Sequence, residues 1–228
     1  MSKAVALLSG GLDSTVTLAY ALSKGHEVVP LSIRYGQRHS KELDAAKSVV
    51  AHYGLERHVV VDLDLSSFET SALTSRKVDV PHRRSVGEMG ADIPATYVPA
   101  RNIIFLSIAA GLCETVGGSI IFIGANAVDY SGYPDCRPEF FEAFERALQA
   151  GTKSGVEGKA IRIEAPILRM SKSEIVTLGK GLKAPLHLTW SCYEGRDKAC
   201  GRCDSCLLRL KGFKEAGLRD EIPYEVER

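Results

Sequence analysis

The chain lacks any apolar run long enough to cross a membrane, and residues 1–8 hold no apolar stretch of the length an export signal needs. It lacks an excess of charge of either sign: 29 lysines and arginines stand against 28 aspartates and glutamates. That balance argues against the basic face with which proteins grip nucleic acid, although Arg76, Lys77, His82, Arg83 and Arg84 form one local basic patch. Internal repeats and low-complexity stretches are missing too. So are two familiar nucleotide fingerprints: no glycine loop ends in Gly-Lys-Ser/Thr, and there is no Gly-x-Gly-x-x-Gly. With no export signal, the six cysteines are expected in a reducing compartment, outside any disulfide framework. The expectation is a cytoplasmic enzyme with no membrane partner and no direct nucleic-acid partner.

What is present begins at residues 8–18, Leu-Ser-Gly-Gly-Leu-Asp-Ser-Thr-Val-Thr-Leu. A short apolar strand, residues 4–7, precedes them, and Val16, Leu18, Ala19 and Leu22 recur at helical spacing. A Ser-Gly-Gly turn thus joins a buried strand to a helix. Gly10 and Gly11 can take backbone angles closed to other residues and leave room for close approach. The free N–H groups at the helix start favour an anion, and Ser9, Ser14 and Thr15 add hydroxyls. The pattern predicts a phosphate cradle made by Leu8, Ser9, Gly10, Gly11, Leu12, Asp13, Ser14, Thr15, Val16, Thr17 and Leu18. The bland alternative is a tight strand–helix turn that holds no ligand.

Beyond the loop, apolar strands alternate with helical patterns. Strands are predicted at 27–33, 58–61, 119–123 and 161–165, and helices at 41–53, 102–115 (apolar nearly all round, hence buried) and 139–150. This alternation predicts an α/β fold: a doubly wound, mainly parallel, Rossmann-like sheet covered by helices on both faces. A domain is expected over residues 1–188, followed by a small helical zinc-binding segment, 189–228. In such sheets ligands sit beyond the carboxyl ends of the strands. That puts the Ser9 loop and residues 32–37, 124–135 and 166–173 on one edge. Residues 66–98 show little periodicity, and so long a loop suggests a lid or a partner-binding insertion.

Near the end stand Cys192, Cys200, Cys203 and Cys206, spaced C-x7-C-x2-C-x2-C. Four thiolates this close match a closed structural zinc site, with Gly201 easing the turn and a last helix starting near Cys203. An iron–sulfur cluster and reduced, metal-free thiols are the alternatives. Cys113 reads as a small apolar filler. Cys136 falls in a polar loop at the ligand edge, able to contact substrate but with no base nearby. Ser171 and Glu174 form a capping-box pattern. Lys172 between them is a cation opposed by the helix dipole, which suggests that it faces an anion.

Ser-Gly-Gly-x-Asp-Ser resembles the pyrophosphate loop of the N-type ATP pyrophosphatases, which cut ATP between the α and β phosphates and adenylate a substrate oxygen. Residues 124–140, Tyr97-Val98-Pro99-Ala100-Arg101-Asn102, Tyr35-Gly36-Gln37-Arg38-His39 and the cysteine tail resemble the 7-cyano-7-deazaguanine synthase family. The resemblance implies conversion of 7-carboxy-7-deazaguanine to the nitrile with ammonia and ATP, assisted by Mg²⁺ and a structural Zn²⁺, in a homodimer. It implies Asp13, Ser14 and Lys172 as catalytic residues. Arg101, Asn102, Asp129, Tyr130, Tyr133, Asp135 and Arg137 would contact the substrate, the aspartates accepting from the purine-like edge and a tyrosine stacking on the ring. Gln37 and His39 would lie near the nucleotide. The rival readings are another pyrophosphate-loop enzyme, such as a tRNA thiolation enzyme or an amide-forming adenylating ligase, and a non-catalytic nucleotide-binding zinc protein.

Overall fold

β1 (Lys3–Leu7) is the middle strand of the molecule, and its residues divide between two cores. Ala4 and Ala6 pack toward one face of the sheet with Val28, Ile120 and Phe122. Val5 and Leu7 pack toward the other with Leu31, Ile33 and Ile121. A strand buried on both faces must be apolar throughout rather than alternating, which is why its sequence reads as one run. The computed structural model describes residues 2–38, 40–65, 67–68, 70–75, 77–82, 93–128 and 133–225.

Four further strands complete a parallel sheet: β2 (Glu27–Arg34), β3 (Val59–Asp62), β4 (Ile120–Phe122) and β5 (Arg162–Glu164). Their order is β3-β2-β1-β4-β5, with Val5 opposite both Val29 and Ile121. The chain builds outward through α1 (Leu12–Ser23) and α2 (Lys41–His52), then returns through α3 (Arg101–Thr115) to the other side of β1. The direction of winding therefore reverses between β1 and β4, and a crevice opens beyond their carboxyl ends. α1 and α2 cover one face of the sheet through Leu18, Ala46 and Val49. α3 and α4 (Pro138–Gly151) cover the other through Leu106, Ala110 and Phe141. The short α5 (Lys153–Val156) starts on a Thr152 cap.

α3 departs from its expected full burial. It buries one stripe, Asn102, Leu106, Ala109, Ala110 and Cys113, while Ile103 is 41% exposed. Apolar side chains all round had concealed a helix packed on one side only.

α6 (Lys172–Gly181) and α7 (Asp204–Glu215) follow the sheet. Val176 and Phe213 enclose Leu12 at the start of α1, so both helices close on the glycine loop. The tail beyond residue 189 is tied to that loop by a hydrogen bond from the Trp190 amide to the Gly10 carbonyl, 2.9 Å. The described part of residues 66–98 does not stand off as a lid. Ala72 and Val80 pack among the four tail cysteines, and His82 bridges to Cys203. Among the described residues no helix is long and apolar enough to cross a membrane.

Candidate active site

Gly10 sets the shape of the loop after β1. Its φ is +89°, and a Cβ there would sit 2.0 Å from the Glu42 carbonyl oxygen, so no side chain fits. Gly11 differs. At φ −76° and ψ 169° it is the N-cap of α1, and with no side chain it leaves that helix end uncapped. The Ser9 and Ser14 hydroxyls meet at 3.0 Å, Ser14 Oγ donates to the Gly11 carbonyl, and the Gly11 amide donates to Ser9 Oγ. These bonds hold the loop as a preformed cup. Gly124, leaving β4, passes so close that a Cβ would lie 2.9 Å from the Ser14 Cα and nitrogen.

The cup opens into a cavity of about 250 Å³ at the β1/β4 crevice. Ser9, Gly11, Leu12, Asp13 and Ser14 line it, as does Leu8. Gly10, Thr15, Val16, Thr17 and Leu18, also expected in the cradle, do not line it. The helix turns Thr15 to Leu18 inward, where all four are fully buried, and Gly10 shapes the backbone without facing the opening.

Lys172 reaches the same cavity from α6. Ser171 caps that helix, and the reciprocal bond from the Ser171 amide to Glu174 is 2.7 Å, so the capping box is present. Lys172 Nζ donates to both Asp13 oxygens at 2.8 Å. The anion facing this lysine is therefore a residue of the loop itself. Gly212 of α7 makes room for the stem of Lys172, since a Cβ there would meet its Cγ at 2.4 Å.

Arg101 enters from the start of α3, after Ala100 turns the chain with φ 54°. Burial works against its charge, but Tyr35, Tyr133, Cys136 and Asp135 more than offset that and hold its pKa above the ordinary arginine range. Tyr133 lines the cavity; its hydroxyl meets Thr96 Oγ1 at 2.7 Å, and its ring lies 5.8 Å from that of Tyr97.

Asp135, expected to accept from a purine edge, is engaged within the protein. It is buried, its Oδ2 accepts from the Asn102 amide and its carbonyl from Asn102 Nδ2, both at 3.0 Å. It thereby caps α3 and orients Asn102, whose side chain also donates to Cys136 Sγ. Arg137 is exposed at the N-cap of α4 and does not line the cavity. Asp129, Tyr130 and His39 lie outside the described residues. Gln37 lines the cavity, with its Oε1 accepting from the Tyr35 amide. Burial raises the Cys136 thiol to about 11, with Asp135 adding to the rise, so it is not an activated nucleophile.

The sequence had not pointed to Glu42, Phe105, Trp190, Ser191, Tyr193, Ser205 or Arg209 as site residues, and all are on the cavity wall. Glu42 is half-buried, and burial pushes its pKa up to about 7, with Arg101 opposing and Cys192 adding to the rise. Its one available signal was its place in the first turn of a helix that follows an edge loop. Arg209 is 1% exposed and held by Asp220, Thr189 and the Leu186 carbonyl. No local pattern betrayed that the tail forms one wall of the site.

Cys192, Cys200, Cys203 and Cys206 converge behind this wall, with their sulfurs all within 4.8 Å of one another. Cys200 and Cys206 are 3.9 Å apart. Tetrahedral metal–sulfur bonds of about 2.3 Å place sulfurs roughly 3.8 Å apart, so the set fits a metal ion. Gly201 turns with φ 68°, and the amides of Glu194 and Cys200 donate to Cys192 Sγ. Hydrogen bonding among the thiols holds Cys192 low and pushes Cys203 and Cys206 up. The amides of Arg202 and Cys203 donate to Cys200 Sγ, so backbone donors already face the sulfurs of the cluster.

A parallel sheet with an uncapped helix start, a lysine and an arginine at its switch point is the architecture of an α/β enzyme acting on an anionic ligand. Residues 3–217 match a family described as queuosine biosynthesis protein QueC, and the chain belongs to that family. It is 57% identical over 224 residues to a 7-cyano-7-deazaguanine synthase of Acetivibrio thermocellus, covering 98% of each chain. It is 58% identical over 225 residues to the enzyme of that name from Picrophilus torridus, covering 99% of this chain and 92% of the relative. A solved structure described as a predicted subunit of tRNA methyltransferase from Methanocaldococcus jannaschii has a TM-score of 0.50 and 17% identity. It covers 97% of this chain and 91% of its own, and it shares the fold alone.

Proposed function

We propose that the protein converts 7-carboxy-7-deazaguanine to 7-cyano-7-deazaguanine in queuosine biosynthesis, using ATP and ammonia. Family membership and the relatives' names support the substrate class. One observation carries the chemistry: a single cavity joins the uncapped start of α1 and the Asp13–Lys172 pair to Arg101 and Tyr133.

A carboxylic acid and ammonia exchange only a proton, so the acid must first be activated. Transfer of an adenylyl group to a carboxylate oxygen makes that oxygen a leaving group. Ammonia then gives the amide, and a second activation, at the amide oxygen, leads to the nitrile. In this reading the α1 amides with Ser9 and Ser14 hold the phosphates, and Lys172 offsets charge developing on the pyrophosphate. A single donor aimed at such charge is worth about 3–4 kcal/mol. Arg101 meets the substrate carboxylate, and Tyr133 borders the ring. Asp13, a hard oxygen donor beside the phosphate cup, would hold Mg²⁺, which neutralises phosphate charge. Zn²⁺ suits the buried four-thiol site, where it stabilises the fold without joining the chemistry. A homodimer belongs to the same reading, and sedimentation would test it.

Incubation with ATP, Mg²⁺, ammonia and the acid should yield the nitrile by mass spectrometry, with the amide as an intermediate. Phosphorus NMR should find AMP and pyrophosphate. An acid left unconsumed under these conditions would overturn the proposal.

A further inference from the structure

We infer that Glu42 is a catalytic residue, the carboxylate that takes the proton released when nitrogen attacks the activated acid. The inference rests on the function proposed above.

Glu42 stands on the wall of the same cavity as the phosphate cup and Arg101. α2 is pressed against the cup at this residue, for the Glu42 carbonyl fills the space a Gly10 side chain would need. The other acids of the region are engaged: Asp13 with Lys172, Asp135 with Asn102, and Asp220 with Arg209. The Glu42 side chain makes no hydrogen bond or ion pair with another described residue. Tyr35, Arg101 and Cys192 are the titratable or charged groups that act on it electrostatically. A carboxylate that is half-buried, free of hydrogen bonds and ion pairs with other described residues, and set on the wall of a reaction cavity is what a proton acceptor requires.

The reaction creates the need. The nitrogen lone pair of ammonia forms a bond to the acyl carbon, and the bond from that carbon to the adenylate oxygen breaks, releasing AMP. The nitrogen, now carrying one proton too many for an amide, gives it to the Glu42 carboxylate. Acyl adenylate, ammonia and ionised Glu42 thus become amide, AMP and protonated Glu42, which returns its proton to water. No other described cavity residue offers an ionised oxygen base that is not already held.

Two half-reactions separate the outcomes. Acid-dependent exchange of labelled pyrophosphate into ATP reads adenylation, and amide formation reads acyl transfer. In Glu42→Gln, acyl transfer to ammonia should fall about 100-fold or more, while exchange falls less than tenfold. Hydroxylamine, whose less basic nitrogen yields its proton readily to water, should bring acyl transfer in the variant to within about tenfold of wild type. Glu42→Asp, which keeps a carboxylate on a shorter stem, should lie between the two. If Glu42→Gln does not fold by thermal melting, Glu42→Asp must still lose acyl transfer more than exchange. Equal loss of both halves, unchanged acyl transfer, or no gain with hydroxylamine would each overturn the inference. Wild-type protein with no acid-dependent exchange would instead overturn the proposed function.

Discussion

Asp13 and Lys172 meet across 159 residues of sequence, each offering charge to the same cavity. Lys172 is 8% exposed and Asp13 is the more open of the two, so the pair holds the lysine head in place where a phosphate would compete for it. Lys172→Ala should slow acid-dependent pyrophosphate exchange about 10²–10³-fold, the loss typical of one charge-stabilising donor, and lower the melting temperature as well, because it unpairs Asp13 and empties the space beside Gly212. A pH effect belongs to the same scale. Glu42 must be ionised to accept a proton, and its pKa is raised from 4.5 to about 7. Acyl transfer to hydroxylamine-free ammonia, at a fixed concentration of unprotonated ammonia, should therefore rise with pH up to about 7 and then level; Glu42→Gln should lose that limb. Lys172 was legible in the sequence because a cation in a helix's first turn is out of place. Its partner was not, because pairing over that distance is decided by packing. Asp135 shows the opposite case: an aspartate beside glycine and proline reads as an open ligand group, and the sequence gives no sign that it also caps a helix 33 residues earlier.

At the scale of elements, strands and helices followed their periodicities closely. The run of residues 4–7 became β1, and residues 41–53 became α2 but for one terminal residue. What periodicity could not supply was which helix turn meets which. α7 bears on α6 at Gly212, whose missing side chain leaves the space that the stem of Lys172 fills. Gly212→Ala should cost about 1–3 kcal/mol by overpacking, read as a drop in melting temperature. It should also displace the lysine head. Misplacement by about 1 Å can cost on the order of 10² in rate, so exchange should fall more than the fraction of folded protein does. A variant whose activity follows stability alone would show that α7 acts only as packing.

Across the whole molecule, the cysteine tail completes the site as well as closing the chain. Trp190 lines the cavity, its amide binds Gly10, and its indole N–H donates to the carbonyl of Cys192, one of the four thiol residues. A path of bonded residues thus leads from the cysteine cluster to the phosphate cup. Structural zinc contributes roughly 10–16 kcal/mol in small peptides, comparable with the whole stability of a typical domain, about 5–15 kcal/mol. Four buried thiols without their ion would leave α7 and the cavity wall without an anchor. Chelation should therefore do two things together. Trp190, the sole tryptophan and 9% exposed, should shift its emission to the red as water reaches it. Nucleotide affinity should fall over the same range of chelator, although neither Ser9 nor Lys172 touches a cysteine in the bonds described. Restored Zn²⁺ should reverse both changes. If the emission shifts and nucleotide binding stays intact, the tail folds on its metal without holding the cup, and the link through Trp190 is broken.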